Sequence, residues 1–119
     1  MHEGAIVSSL FEIAEHSFQD SGLSRVTKVR IVVGKLHQIV TDVMVMHFDL
    51  MKRDIPGFEQ AVLEIKELDP EIRCKRCGAA MVLDEVDFSC RACGSEDTEL
   101  TYGNELYIDA LEGEERSQA

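Results

Sequence analysis

Residues 74–78, CKRCG, and residues 90–94, CRACG, repeat one pattern: two cysteines three apart, then glycine. Two sulfurs at that spacing reach one metal ion when the chain turns tightly between them and points its amides inward. Gly78 and Gly94 permit the positive φ that such a turn prefers. Cys74, Cys77, Cys90 and Cys93 together offer four thiolates for a closed tetrahedron, the arrangement of structural zinc with Zn–S near about 2.3 Å. Twelve residues separate the two pairs, enough for a short hairpin over AAMVLDEVDFS. Iron is the competing metal, because a sulfur tetrahedron accepts either ion. Two disulfides, or a redox C-x-x-C, fit less well in a reducing compartment. A closed site leaves no coordination position open, so it stabilises rather than catalyses.

Outward from the cysteines, residues 70–98 are short of aliphatic side chains and cannot fold by burial alone. On the N-terminal side, QAVLEIKEL over 60–68 predicts a strand, with Ala61, Val62, Leu63 and Ile65 apolar and Glu64, Lys66 and Glu67 wet. IPG at 55–57 is a turn. A helix is expected from Thr41, a candidate N-cap, to about Lys52, with Val43, Met46, His47 and Leu50 inward. RVTKVRIVV over 25–33 alternates, Val29, Ile31 and Val33 facing one way and Lys28 and Arg30 the other, until Gly34 breaks the strand. The first twenty residues carry a helical period through Ile6, Leu10, Ile13, Ala14 and Phe18, closed by Gly22 as a left-handed C-cap. Beyond the cysteines, NELYIDALEGEE reads as a returning strand.

These elements predict an α+β fold: two helices packed on a three-stranded sheet, with an inserted zinc-ribbon module. The expected boundaries are residues 1–69 plus 99–112 for the α/β domain, 70–98 for the ribbon and 113–119 for a polar tail. The 119 residues carry 23 acids against 12 bases, a formal charge of −11. So acidic a surface repels phosphate backbones and argues against nucleic acid as a partner. Aromatics are few, so the expected core is mainly aliphatic. The N-terminus has no basic region or uninterrupted apolar run of a signal peptide, and no stretch is long enough to span a bilayer. The expected location is the cytoplasm, with no membrane partner, and there thiols stay reduced.

The chain opens Met1-His2-Glu3, which crowds metal donors into three residues. The His2 backbone nitrogen and its own Nδ1 close a six-membered ring on a metal ion, and neighbouring backbone nitrogens close five-membered rings. The His2 nitrogen can sit between Nδ1 and either the Met1 amine or the Glu3 nitrogen. Either choice gives a tridentate nitrogen set with one more place to fill. Deprotonated amides favour square-planar Ni(II) or Cu(II).

MHE at the start, VSSL at 7–10, VGKL at 33–36, GFEQAVLEI before the cysteines and GNELYIDALE after them resemble the HypA/HybF family of hydrogenase maturation factors. The likeness runs nearly the whole chain in register. It implies a nickel metallochaperone that delivers Ni(II) as cargo for the [NiFe]-hydrogenase large subunit precursor with the GTPase HypB, some relatives also serving urease maturation. By position it implies His2 as the primary nickel ligand, Glu3 and the Met1 amine as contributors, and Cys74, Cys77, Cys90 and Cys93 as holders of structural zinc. A homodimer is left open. Two positions depart from the family pattern. Gly4 stands where many relatives carry a larger residue, which lowers helix propensity beside the MHE arm. Val40 stands where several relatives have an acid before the second helix; Asp42 is the nearest substitute.

His16 lies among acids and reads as a solvated helix residue, His47 as an inward-facing core histidine, and His37 as a residue that could approach the terminus. Met44, Met46, Met51 and Met81 read as packing. No Gly-rich phosphate loop and no Ser/His/Asp set is present, so a non-enzyme is expected. The rival function is a zinc-ribbon adaptor for nucleic acid or the transcription machinery, resting on the basic cluster Lys75, Arg76 and Arg91. A rubredoxin-like electron carrier is the third, and a colourless protein would exclude it.

Overall fold

The structure, a computed structural model, describes residues 3–83 and 88–116. In chain order it comprises α1 (Glu3–Ser21), β1 (Leu23–Gly34), α2 (Thr41–Met51), β2 (Val62–Leu68), β3 (Glu71–Cys74), β4 (Ala80–Val82), β5 (Thr98–Tyr102) and β6 (Leu106–Glu115). Short 3₁₀ turns follow β1 and α2. Six strands form two sheets of three, one ordered β2-β1-β6 and the other β4-β3-β5. The chain separates into two compact units, residues 1–32, 38–66 and 107–119 in one, residues 33–37 and 67–106 in the other.

In the first unit β1 is the central strand, and its wet face shows why the order holds. Lys28 reaches Glu64 on β2 at 3.2 Å and Glu112 on β6 at 3.4 Å, while Arg30 joins Glu64 at 3.4 Å and Asp109 at 3.9 Å. Opposite charges on neighbouring strands favour this pairing. The Glu64 and Glu112 carboxylates hold the Lys28 ammonium above its ordinary pKa, and Lys28 in turn lowers Glu64. On the other face Val29, Ile31 and Val33 are buried as the alternation predicts, and Val32 and Val26 are buried as well. The strict alternation therefore fails at Val26 and Val32.

Both helices exist; on α1 Leu10 and Ala14 are buried as expected but the stripe is shifted, and α2 turns a different stripe inward. On α1 the buried residues are Val7, Leu10, Phe11 and Ala14, and Ile13 is 56 % exposed. On α2 they are Met44 and Phe48, whereas Met46 and Leu50 are 51 % and 52 % exposed. The reason is aromatic. Phe11 stacks on Phe48 with ring centroids 4.8 Å apart, and Phe58 meets Phe11 and Phe18 edge-on at 5.8 and 5.4 Å. Four of the five phenylalanines thus form one cluster that rotates both helices to face it, so the core is less purely aliphatic than composition implies. Thr41 is the first helical residue rather than the cap: Val40 occupies the N-cap without a side-chain hydrogen bond. Gly22 has the left-handed φ of 76° expected of it.

In the second unit β3 is central, paired antiparallel with β4 and β5. Residues 99–106 group here because β5 hydrogen-bonds to β3, and residues 33–37 because they bond to the approach to β6. Gly34 N–H donates to Glu105 O at 2.7 Å, Leu36 N–H to Gly103 O at 3.0 Å, and Lys35 pairs with Asp69 at 2.6 Å. Gly34 ends β1 but does more than break it. A β-carbon there would stand 2.0 Å from Gly103 O and 2.6 Å from Asn104 N, both backbone atoms. Gly34→Ala is expected to forfeit these two hydrogen bonds, a loss of about 1–3 kcal/mol, visible as a lower urea midpoint at unchanged m-value. The expected tail from residue 113 begins later, since β6 continues through Glu115; residues 117–119 lie outside the described residues. So do residues 84–87 of the expected hairpin, of which β4 supplies one side.

Candidate metal centre

Two turns of the same construction carry the cysteines. In the first, Gly78 N–H donates to Cys74 O at 2.9 Å and Cys74 N–H to Ala79 O at 2.9 Å. In the second, Gly94 N–H donates to Cys90 O at 2.7 Å and Cys90 N–H to Ser95 O at 2.8 Å. Gly78 and Gly94 have φ of 79° and 77°, a conformation that L side chains rarely adopt. Nothing lies within 4 Å of a β-carbon at either position, so the backbone angle rather than space demands glycine.

The turns bring the sulfurs together. Cys74 Sγ lies 3.6 Å from Cys93 Sγ and Cys77 Sγ 3.6 Å from Cys90 Sγ, with all four within 4.8 Å of one another. A tetrahedron with metal–sulfur bonds of about 2.3 Å has edges of about 3.8 Å, so the donor set fits zinc. Cys74 and Cys90 are buried and Cys77 and Cys93 exposed, so one side of the cage faces solvent. Backbone amides aimed at the sulfurs favour thiolate. The Cys77 amide, 3.4 Å from Cys74 Sγ, is the main cause that brings Cys74 down to about 6. The Cys93 amide likewise lowers Cys90. Cys93 goes the other way, to about 11: the Ser95 amide lowers it, but desolvation and the neighbouring sulfurs of Cys74, Cys90 and Cys77 outweigh that. Zinc, when bound, would supply a fixed +2 charge that offsets half the charge of the gathered thiolates and would lock the two turns together.

The second turn is tied back to the ribbon by Arg91, whose N–H donates to Met81 Sδ at 3.4 Å and whose guanidinium donates to Val82 O at 2.6 Å. Of the three basic residues at the cysteines, Arg91 is thus engaged within the fold, while Lys75 and Arg76 are exposed.

Of the N-terminal tripeptide, Met1 and His2 lie outside the described residues. Glu3 opens α1, and its Oε1 accepts the Val40 N–H at 3.3 Å, which ties the start of α1 to the start of α2. Asp42 is exposed in the first turn of α2. His37 is committed elsewhere, Nε2–H donating to Asn104 O at 2.7 Å, and His16 is solvated as expected. His47 is half-buried rather than a core residue, and its ring stands where a β-carbon on Gly4 would come within 3.2 Å of it, a proximity no local pattern in the sequence announces. Among the described residues the four cysteines are the one group of three or more histidine, cysteine, aspartate or glutamate side chains placed to share an ion. No helix among them is long and apolar enough to cross a membrane.

A helix-and-sheet unit joined to a four-thiolate ribbon defines a metal-binding protein with a zinc-ribbon centre. Residues 1–113 match the family model described as HypA, the hydrogenase/urease nickel incorporation metallochaperone. The hydrogenase maturation factor HypA of Moorella thermoacetica is 34 % identical over 96 % of this chain and 100 % of its own length. That of Roseiflexus sp. is 35 % identical over 97 % of this chain and 94 % of its own. The solution structure of the Ni metallochaperone HypA from Helicobacter pylori superposes with a TM-score of 0.70 at 25 % identity, covering 98 % of this chain and 100 % of that one. The chain belongs to the HypA family of nickel metallochaperones for hydrogenase maturation.

Proposed function

We propose that this chain carries Ni(II) on Met1, His2 and Glu3 and delivers it to the [NiFe]-hydrogenase large subunit precursor together with a HypB-type GTPase, while Cys74, Cys77, Cys90 and Cys93 hold zinc permanently. The observation that carries this reading is the family match, which begins at residue 1 and so includes the tripeptide. The cysteine cage supports it from the other direction. Four thiolates close a tetrahedron and leave no site from which a cargo ion is passed on, so the cargo needs a different set of donors. The tripeptide supplies them: an amine, backbone nitrogens, an imidazole and a carboxylate, in an order that suits a square-planar ion. The Val40 N–H donates to Glu3 Oε1, which ties the first residue of α1 to the start of α2. A surface of charge −11 attracts cations and basic protein faces, and repels nucleic acid.

The test is His2→Ala in untagged, zinc-loaded protein. The expected result is loss of Ni(II) binding and of hydrogenase maturation, with zinc content unchanged. Retention of both nickel stoichiometry and maturation overturns the proposal.

A further inference from the structure

One face of the β4-β3-β5 sheet holds a cleft of about 360 Å³ lined by Leu68, Asp69, Glu71, Val82 and Tyr102. All five belong to the unit of residues 33–37 and 67–106. The register explains why they meet. Glu71 on the central strand β3 stands opposite Val82 on β4 and opposite Tyr102 on β5, and residues directly opposite share a face. Ile72 and Cys74 are buried on the other face of β3, which keeps the cleft clear of the zinc cage. Val82 and Tyr102 are each more than half exposed, although one is aliphatic and the other aromatic. The two carboxylates differ. Asp69 already accepts an ammonium, Lys35 Nζ at 2.6 Å. The Glu71 carboxylate has neither a hydrogen bond nor an ion pair among the described residues.

We infer that this cleft docks a partner polypeptide through an arginine or lysine side chain with an aliphatic neighbour, an inference that rests on the reading that this chain delivers nickel to other proteins. Charge complementarity names the occupant. Lys35 on Asp69 shows that a side-chain ammonium suits this edge of the sheet, and Glu71 leaves a second acceptor there without a cation. An aromatic ring beside a carboxylate strengthens the hold on a cation, because its quadrupole adds to the ion pair. Leu68 and Val82 offer aliphatic walls for the methylene stem of arginine or lysine and for an apolar neighbour. On a chain of charge −11, an acidic segment is repelled from such a cleft.

The probe is a capped arginine–alanine–leucine tripeptide, which projects arginine and leucine from one side when extended. It is titrated into the full, zinc-loaded chain and followed by amide NMR shifts, beside the same peptide carrying neutral citrulline for arginine. The arginine peptide is expected to shift the amides of Leu68, Glu71, Val82 and Tyr102. It should bind about fivefold tighter than the citrulline peptide, the factor for an exposed ion pair at the top of its usual range. Glu71→Gln should weaken it by the same factor, and Tyr102→Leu by about twofold to fivefold, with zinc content unchanged in both. Equal binding of the two peptides, or shifts centred on other acids such as Glu12 and Glu15, overturns the inference. So does a dimerisation that Glu71→Gln abolishes, because the occupant is then a second copy. In cells Glu71→Lys, which reverses the charge, should lower hydrogenase maturation while the purified variant keeps its nickel and zinc; if it folds poorly, Glu71→Gln takes its place. Normal maturation overturns the inference and leaves the carrier reading standing. If His2→Ala shows that no nickel is carried there, the carrier reading fails and the maturation arm with it, while the peptide titration still decides the cleft.

Discussion

Cys74→Ser is expected to release the ribbon unit from its fold and reduce zinc from one ion per chain to nearly none. Within residues 67–106 the buried hydrophobic side chains among the described residues are Ile72, Leu83 and the two cysteines Cys74 and Cys90. So small an apolar centre cannot offset the ordering of a segment this long. Structural zinc contributes about 10–16 kcal/mol in isolated zinc-finger peptides, as much as the whole net stability of many domains. Cys74 is the severest place to intervene. Its sulfur is buried, its backbone closes the first turn through Ala79 and Gly78, and it is the last residue of the central strand β3. Amide hydrogen exchange should show protection lost on β3, β4 and β5 while the inner amides of α1 and α2 keep theirs. A strong chelator at neutral pH should reproduce the pattern in the unaltered chain. Full zinc content with native protection in Cys74→Ser would refute the assignment of the cage as what holds the ribbon together.

The cysteine cage was legible in the sequence because its information is local. Two cysteines three apart and the glycine after them specify a turn by themselves, and the structure closes both turns with the same pair of hydrogen bonds. The strands were legible for a similar reason: Lys28 and Arg30 among valines mark one wet face, and the cross-strand carboxylates answer them. The helices were legible as helices but not as oriented helices. Hydropathy ranks Ile13 and Met46 as good core residues, yet what lies opposite a helix decides which stripe is covered. Phe11 and Phe48 are drawn together across the helix pair, and that contact swings Ile13 and Met46 outward. The proximity of Gly4 and His47 was invisible for the same reason, being a property of how two helices cross. The grouping of residues 33–37 with the ribbon also depends on hydrogen bonds to residues some seventy positions away.

Phe58→Ala is expected to be the most damaging single truncation in the α/β unit, a loss of about 3–5 kcal/mol. Phe58 belongs to no helix or strand, and a reading by periodicity passes over it as part of the turn before β2. Its side chain is nevertheless fully buried, with 0 % exposure. It meets Phe11 and Phe18 of α1 edge-on, and Phe11 in turn stacks on Phe48, so the turn is joined to α1 directly and to α2 through Phe11. Edge-to-face pairs add about 0.5–1.5 kcal/mol each beyond the area they bury. The turn is anchored on both sides of the ring, Gly57 O accepting from Val26 N–H at 2.8 Å and Phe58 O from Ala61 N–H at 3.0 Å. Collapse of the surroundings into the vacated space is therefore restricted, which places the cost toward the upper part of that range. Because α1 carries Glu3 at its first turn, loosening the aromatic cluster should also loosen the Glu3–Val40 hydrogen bond between the helices. Nickel affinity should fall in Phe58→Ala while zinc content does not. Chemical denaturation followed by helical circular dichroism measures the stability change. A loss below about 1 kcal/mol, the centre of the distribution for point mutations generally, would show that Phe58 is not the keystone its contacts make it.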